Sequence, residues 1–173
     1  MKKILFLMLF LSMFSNAQEK PKDVFDVARY GTVEEMKALE TKNPDTINAL
    51  NKMEFTPLIL ACYKGNTEVA SYLTKRVKDV NYNSSSGTAL AASVVKGNLV
   101  LSKLLLENKA NPNLADAGGM TPLLYAIQFK NLELIKLLLS YKADKKLADS
   151  TGKMPFEYAV FTKNQEIINL LKN

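Results

Sequence analysis

The feature that most constrains the fold of this chain is a pattern that recurs about every 33 residues. Four short segments begin the pattern, and their first residues are 32, 33 and 33 positions apart. These segments are Thr56-Pro57-Leu58, Thr88-Ala89-Leu90, Thr121-Pro122-Leu123 and Met154-Pro155-Phe156. A repeat of this length is typical of solenoids, in which each unit packs only on its neighbours. The sequence therefore predicts a stack of similar units with a core that runs through the stack.

Two further columns align with these starts. A small residue stands five positions after each start, and an asparagine stands ten positions after it. They are Ala61, Ser93, Ala126 and Ala159 in the first column, and Asn66, Asn98, Asn131 and Asn164 in the second. A threonine hydroxyl can cap a helix and a proline fits its first turn, so each start indicates the beginning of a helix. The small residues let that helix lie close against its neighbours.

These columns resemble the ankyrin repeat, which has this length and begins with Thr-Pro-Leu. The resemblance covers about residues 22–173 and is closest at 131–139, followed by Lys142-Ala143-Asp144. It implies an all-α ankyrin-repeat solenoid of about five helix-turn-helix units with short β-turn fingers, in which the first and last units act as caps. The expected units are 22–51, 52–83, 84–116, 117–149 and 150–173.

The ends of the first helices depart from a uniform repeat. Gly65 and Gly97 stand where each helix should end in a left-handed residue, a conformation that glycine adopts readily. Lys130 and Lys163 occupy that column in the later units. Either these lysines carry strain of about 1 kcal/mol, or the asparagine that follows each of them takes the bend.

The turns between units depart from the family pattern as well. The histidine that the family carries three residues after its threonine is absent, so we expect apolar packing to replace its polar link between neighbouring turns. The linker 82–87 is one residue short and lacks the aspartate of the family's turn. We therefore expect a looser finger between the second and third units.

The absence of histidine and the presence of one cysteine restrict the chemistry. Without imidazole, a Ser-His-Asp site, a Cys-His site and a zinc-binding histidine pair are excluded. One cysteine cannot form an internal disulfide. Cys62 lies in a column shared with apolar residues, which indicates a buried core position. We expect no cofactor, no metal ion and no enzymatic activity. A hydrolase that uses carboxylates is the one enzymatic alternative.

The N-terminus has the plan of a secretory signal peptide. Lys2 and Lys3 precede an apolar run of 11 residues from Ile4 to Phe14, and small residues lead to Ala17. This run is shorter than the roughly 20 residues that a membrane-crossing helix needs. We expect a signal peptide at 1–17, a linker at 18–21 and a bacterial protein of the periplasm or medium. The alternative is an uncleaved anchoring helix.

The charge of the chain is too low and too scattered to indicate a nucleic-acid surface. Loss of Lys2 and Lys3 with the signal peptide would lower the formal net charge from +6 to +4, and the remaining lysines form no long run. We therefore expect no nucleic acid as a partner, no membrane contact after cleavage, and a monomer. The expected partner is a protein.

The resemblance also implies where that partner would bind. Ankyrin proteins present a concave face made by the turn tips and by two residues at the end of each first helix. Large aromatic and methionine side chains at exposed positions are typical of the centres of protein interfaces. On this basis the predicted partner-binding residues are Tyr30, Met53, Phe55, Tyr63, Lys64, Lys96, Phe129 and Phe161. The alternative for these rings is packing against the adjacent repeat.

Three functional classes follow. The first is an exported scaffold or adaptor that binds a protein. The second is an inhibitor or protective accessory protein of one exported enzyme or toxin. The third is the carboxylate hydrolase, for which acidic residues are available but lie mostly at positions such as Glu34, Glu68 and Glu133, where a solvated helix face is the simpler interpretation.

Overall fold

A computed structural model describes residues 21–172 of the chain. The signal peptide predicted at 1–17 and most of the linker 18–21 lie outside the described residues. Within residues 21–172 ten α-helices follow one another in pairs, and a 3-10 helix (Pro44–Asn48) follows the first pair. The pairs are α1 (Val24–Tyr30) and α2 (Val33–Lys42), α3 (Pro57–Lys64) and α4 (Thr67–Thr74), α5 (Ala89–Val95) and α6 (Leu99–Glu107), α7 (Pro122–Gln128) and α8 (Leu132–Ser140), and α9 (Pro155–Thr162) and α10 (Gln165–Leu171).

The helices form two layers. The first helix of each pair packs against the first helix of the next pair, and the second helices form a parallel row in the same way. Each expected unit contains one pair. The described residues include no strand, and their one isolated β-bridge joins Ser84 and Gly87. The prediction of an all-α solenoid with short β-turn fingers is therefore confirmed.

The core runs through the whole stack between the two layers. Its members include Ala28 and Met36 in the first unit and Ile167 in the last, all without solvent exposure. Cys62 is fully buried in this core, as its column predicted, and burial raises the pKa of its thiol to about 12. The continuous core explains why no unit needs a disulfide for its stability.

The threonine column caps the first helices. The hydroxyl oxygens of Thr56, Thr88 and Thr121 accept hydrogen bonds from the backbone N–H three residues later, at 3.2, 3.2 and 3.3 Å. Met154 cannot accept such a bond. Instead the carboxylate of Glu157 accepts a hydrogen bond of 2.7 Å from the Met154 N–H. In α9 the side chain in the first turn therefore bonds to the backbone of the cap residue, whereas in the other units the cap side chain bonds to the backbone of the first turn.

The asparagine column caps the second helices, a role that the sequence analysis did not assign. The side-chain oxygen of each asparagine accepts a hydrogen bond from the backbone N–H three residues later. These bonds measure 3.4 Å for Asn66, 3.0 Å for Asn98, 3.1 Å for Asn131 and 3.3 Å for Asn164. Apart from α9, which starts at Met154, both helices of each unit therefore start at a side-chain cap of the kind that stabilises helix N-termini by about 1 kcal/mol.

The later first helices end at strained lysines. Lys130 and Lys163 have φ angles of +55° and +57°, in the left-handed region, whereas the asparagines that follow them have ordinary negative φ angles. Gly65 adopts the same conformation, with φ of +75°, at no steric cost. Of the two alternatives, strained lysines are therefore confirmed, because the lysines and not the asparagines adopt the left-handed conformation.

The expectation of a looser second finger is wrong. Ser84 takes the place of the missing aspartate: its hydroxyl donates a 2.9 Å hydrogen bond to the Gly87 carbonyl and accepts one of 3.2 Å from the Ser86 N–H. The backbones of Ser84 and Gly87 also exchange two hydrogen bonds, of 3.3 and 2.9 Å. Ser84 is buried, and a serine hydroxyl can close a tight turn much as an aspartate carboxylate does.

The expectation that only apolar packing links neighbouring turns is also wrong, because backbone hydrogen bonds join successive fingers. The Ala117 N–H donates to the Ser85 carbonyl at 3.1 Å, and the Ser150 N–H donates to the Gly118 carbonyl at 2.9 Å. Gly119 permits the second approach, since a Cβ there would lie 2.7 Å from the Asp149 carbonyl carbon. The links need no histidine because the backbones themselves come together.

Asparagines tie the units together beyond the second helices. The side-chain oxygens of Asn48, Asn81 and Asn113 accept hydrogen bonds of 2.9, 2.7 and 2.8 Å from backbone N–H groups about 30 residues later. The amides of Asn81 and Asn113 also donate to carbonyls of the next unit. These contacts fix the position of each unit on its neighbour in the segments that immediately precede the fingers.

Candidate functional site

The fingers and the exposed sides of the first helices together form one surface, called here the inner face. It corresponds to the concave face on which the binding residues were predicted. The fingers comprise residues 51–55, 84–87, 116–120 and 149–153, each closed by hydrogen bonds between its own ends. Five large side chains predicted for binding are exposed on this surface, with exposed fractions of 66% for Tyr30, 66% for Met53, 48% for Tyr63, 54% for Phe129 and 72% for Phe161.

These exposures show how far the predicted rings pack against the adjacent repeat. Phe129 contacts a ring of its own unit, Tyr125, in a stacked arrangement with 6.5 Å between centroids. Phe161 has the ammonium of Lys153 4.0 Å from its ring centroid. Neither ring is buried by the adjacent repeat, whereas Phe55 is half-buried. Most of the predicted side chains are therefore accessible to a partner.

Two lysines of the inner face lie over tyrosines of the preceding unit. The Lys64 ammonium is 5.4 Å from the Tyr30 ring centroid, and the Lys96 ammonium is 5.3 Å from that of Tyr63. Cation–π contacts at exposed sites contribute about 0.5–1 kcal/mol each. The contacts hold each ring and each charge in a defined place along the row of helix ends.

A groove of about 440 Å³ opens on the inner face between the first finger, the second finger and α7. Met53 and Phe55 of the first finger, Tyr63 at the end of α3, and Tyr125 of α7 form its walls. Its remaining lining is mainly small or apolar, and comprises Ile59, Leu60, Ser86, Ala91, Ala92 and Val95. The groove lies within the size range of ligand-binding pockets in proteins.

Tyrosine–aspartate hydrogen bonds hold the later part of the inner face rigid. The Tyr125 hydroxyl donates to the Asp116 carboxylate at 2.5 Å, and the Tyr158 hydroxyl donates to Asp149 at 2.7 Å. Burial and the hydrogen bond to Asp116 raise the pKa of Tyr125 to about 12. The Tyr158 hydroxyl, followed by Thr151, holds the pKa of the Asp149 carboxyl well below its ordinary value.

Other carboxylates are engaged on the second-helix side of the stack. Glu40 accepts hydrogen bonds from the Tyr72 hydroxyl and, at 3.0 Å, from Arg76, and Lys136 pairs with Glu166 at 2.8 Å. Residues 21–172 contain no group of three or more side chains suited to hold a metal ion. Over the same residues, no helix has the length and apolar character required to cross a membrane.

The repeat, the two-layer stack and the capped helix pairs agree with a family-level comparison. A family model described as ankyrin repeats (3 copies) matches residues 24–116 and 90–173. The chain belongs to the ankyrin-repeat family. Ankyrin repeats are generally protein–protein interaction modules, and the proteins that contain them are typically non-enzymatic binding scaffolds.

Two curated ankyrin-repeat relatives show how far the similarity extends. The chain is 41% identical over 81 residues, 46% of its length, to the mouse protein "Protein fem-1 homolog A-like". It is 27% identical over 109 residues, 62% of its length, to the rat protein "Ankyrin repeat and SAM domain-containing protein 6". Each match covers only 12% of the relative. The similarity therefore concerns the repeat framework.

The ankyrin stack brings three of the eight predicted site residues together in the groove and leaves the other five outside its lining. Met53, Phe55 and Tyr63 line the groove, while Lys64 and Lys96 stand at the neighbouring helix ends. Phe129 stacks on the groove residue Tyr125 but, like Tyr30 and Phe161, lies outside the groove lining.

Seven groove residues were not predicted as binding residues, and Ala91, Ala92 and Tyr125 are the three that shape the groove. The other four are Ile59, Leu60, Ser86 and Val95. The signal for Ala92 and Tyr125 is present in the repeat alignment, because Ala92 stands four residues after Thr88 in the column that holds Tyr125 and Tyr158 in the later units. A small residue in a column of large ones marks a gap on the surface that the column faces.

Proposed function

We propose that this chain is an exported protein-binding module that engages a partner protein through its inner face. The observation that carries the proposal is the row of exposed aromatic and methionine side chains, which includes Tyr63, Phe129 and Met53. The aromatic rings bury a large area on binding with few rotatable bonds to order, and methionine is also enriched at protein interfaces, so such side chains are typical anchors there. The family supplies the general role and the exposed row indicates where it is exercised.

Export is the second part of the proposal. Its support is the basic start, the apolar run of 11 residues and the small residues before Gln18. The proposed location is the periplasm or the medium of a bacterium, with cleavage after Ala17.

The binding part is tested with the double variant Tyr63→Ala with Phe129→Ala. Both side chains are largely exposed, so we expect the variant to keep the circular dichroism spectrum of the wild type. It should lose only about 1–2 kcal/mol of stability, from the Lys96–Tyr63 and Tyr125–Phe129 contacts. Partner capture from cell-envelope extracts should weaken at least about 30-fold, which corresponds to about 2 kcal/mol, the scale of interface anchors.

The matched control is Phe156→Ala. Phe156 is an exposed phenylalanine that lines a different hollow, with Leu171 and Lys172. This control should capture the partner as well as the wild type does. Full capture by a folded Tyr63 and Phe129 double variant would show that the inner face is not the binding surface.

The export part is tested by N-terminal sequencing of the chain recovered from the envelope. We expect Gln18 as the first residue. The control is Leu7→Arg, which places a charge within the apolar run and should leave the chain uncleaved and inside the cell. A wild-type chain that retains Met1 in the envelope fraction would contradict cleavage and favour the uncleaved anchoring helix.

A further inference from the structure

The groove on the inner face exists because the third unit has alanines where the other units have larger residues. The column three residues after each helix cap holds Ile59, Ala91, Leu124 and Glu157, and the next column holds Leu60, Ala92, Tyr125 and Tyr158. The backbone of α5 stacks between α3 and α7 as in a regular repeat. Ala91 is buried and Ala92 is partly exposed, so the missing side-chain volume becomes open space above Ala92, which lines the groove.

The second finger widens the same opening. It has four residues, 84–87, whereas the third finger has five, 116–120, and it contains only serine and glycine. Of these residues, Ser86 lines the groove. The first finger contributes Met53 and Phe55 on the opposite wall. The opening is thus bounded by large apolar side chains on the first finger and by small residues on the second.

The rim of the groove at the helix ends is positively charged. Lys64 and Lys96 are exposed there, held over the rings of Tyr30 and Tyr63. Within residues 21–172 neither ammonium forms an ion pair with a carboxylate.

The carboxylates near the groove belong to the fingers and not to the helix ends that carry Lys64 and Lys96. Asp116 already accepts hydrogen bonds from the Tyr125 hydroxyl and from the backbone N–H groups of Gly118 and Met120. Glu54 lies on the first finger, beside Met53, and is exposed. The helix-end side of the groove therefore favours an acidic partner.

We propose that the groove receives one or two large apolar side chains of a short partner segment whose neighbouring residues are aspartate or glutamate. This inference rests on the proposed function and specifies the chemistry of the partner. The apolar side chains fill the space above Ala92, where burial stabilises the complex. The acidic residues lie against Lys64 and Lys96, where opposite charge favours association and selects the orientation of the segment.

The variant that tests the groove is Ala92→Tyr. Tyrosine occupies this column at Tyr125 and Tyr158, so the substitution fills the opening with a side chain that the repeat accommodates elsewhere. Ala92→Leu, which copies Leu60, is a second filling variant that keeps the test decisive if the tyrosine variant fails to fold. Circular dichroism and urea denaturation verify the fold of each.

The probe is a phage-displayed library of random 12-residue peptides selected on the wild-type chain. We expect enriched peptides to combine an aromatic, leucine or methionine residue with at least two acidic residues, and to bind the filling variant at least ten-fold more weakly. The pair Lys64→Glu with Lys96→Glu should also weaken binding at least ten-fold, while the control Lys103→Glu, on α6, should not. Enriched peptides without acidic residues, peptides that bind the filled groove equally well, or no enrichment at all would overturn the inference.

A comparison of variants in the envelope capture assay separates this inference from the proposed function. If the double variant of Tyr63 and Phe129 loses the partner while the Ala92→Tyr variant retains it, binding at the inner face stands and the groove inference fails. If both variants retain the partner, the proposed function itself fails.

Discussion

Replacement of the strained lysines at the first-helix ends should stabilise the fold. Lys130 has φ of +55° in a column where Gly65 has +75°. A residue with a Cβ loses roughly 1–2 kcal/mol in the left-handed region. Glycine removes that strain but adds about 0.4–1 kcal/mol of unfolded-state entropy. We therefore expect Lys130→Gly to raise the free energy of unfolding by about 0.5–1 kcal/mol, because the exposed side chain contributes little packing.

The reverse change provides an independent measure of the same strain. A Cβ at Gly65 would meet no heavy atom within 4 Å, so Gly65→Lys changes only the backbone energy. We expect this variant to lose about 0.5–1 kcal/mol, equal and opposite to the gain at Lys130. The matched control is Lys75→Gly: Lys75 has φ of −89° and no strain to relieve, so glycine there should destabilise the chain by about 0.5–1 kcal/mol.

Urea denaturation followed by circular dichroism measures all three free energies. The expected gain for Lys130→Gly corresponds to a rise of about 1–4 °C in Tm for a domain of this size. Addition of Lys163→Gly should roughly double the effect, since the two positions lie in successive units and act independently. The reasoning is refuted if Lys130→Gly and Lys75→Gly shift stability in the same direction and by the same amount.

Three further predictions concern buried or hydrogen-bonded groups. The Cys62 thiol should react with a thiol reagent only as fast as the protein opens, so complete labelling of native protein within seconds would contradict its burial. Ser84→Ala should lower the free energy of unfolding by about 1 kcal/mol, because it removes two hydrogen bonds that close the second finger, and an unchanged urea midpoint would count against that role. In Tyr158→Phe the pKa of Asp149 should rise towards its ordinary value, measured by NMR titration. The folded-state pKa of this carboxyl is depressed, so its contribution is present above about pH 4 and is lost as the pH falls. The variant should lose less stability on acidification than the wild type, and an equal loss would refute the link.

The repeat framework could be predicted from the sequence because its signals are local. A threonine cap, the proline after it and the small residue four positions further lie within one helix, so their meaning does not depend on other units. The column positions likewise placed Tyr30, Tyr63 and Phe129 at helix ends, and the structure leaves them exposed. Their role in binding remains a prediction.

The two expectations about the fingers, a loose second finger and apolar links between turns, were wrong for one reason. Each assumed that the absence of the family's aspartate or histidine also removes the hydrogen bond that this residue makes. Ser84 closes the second finger without aspartate, and backbone groups join the third and fourth fingers without histidine. A hydrogen bond requires only a donor and an acceptor at the correct distance, and several residue types or the backbone itself can supply them.

By itself the sequence determined the number of units, the helix starts and the burial of Cys62, since periodicity and local capping govern these features. Only the tertiary structure decided which side chains meet across units. The links from Asn81 and Asn113 to the next unit, the lysines over preceding tyrosines, and the groove above Ala92 all join residues about 30 positions apart or more. Such contacts depend on how one unit is rotated and displaced on its neighbour, and that geometry results from packing along the whole stack.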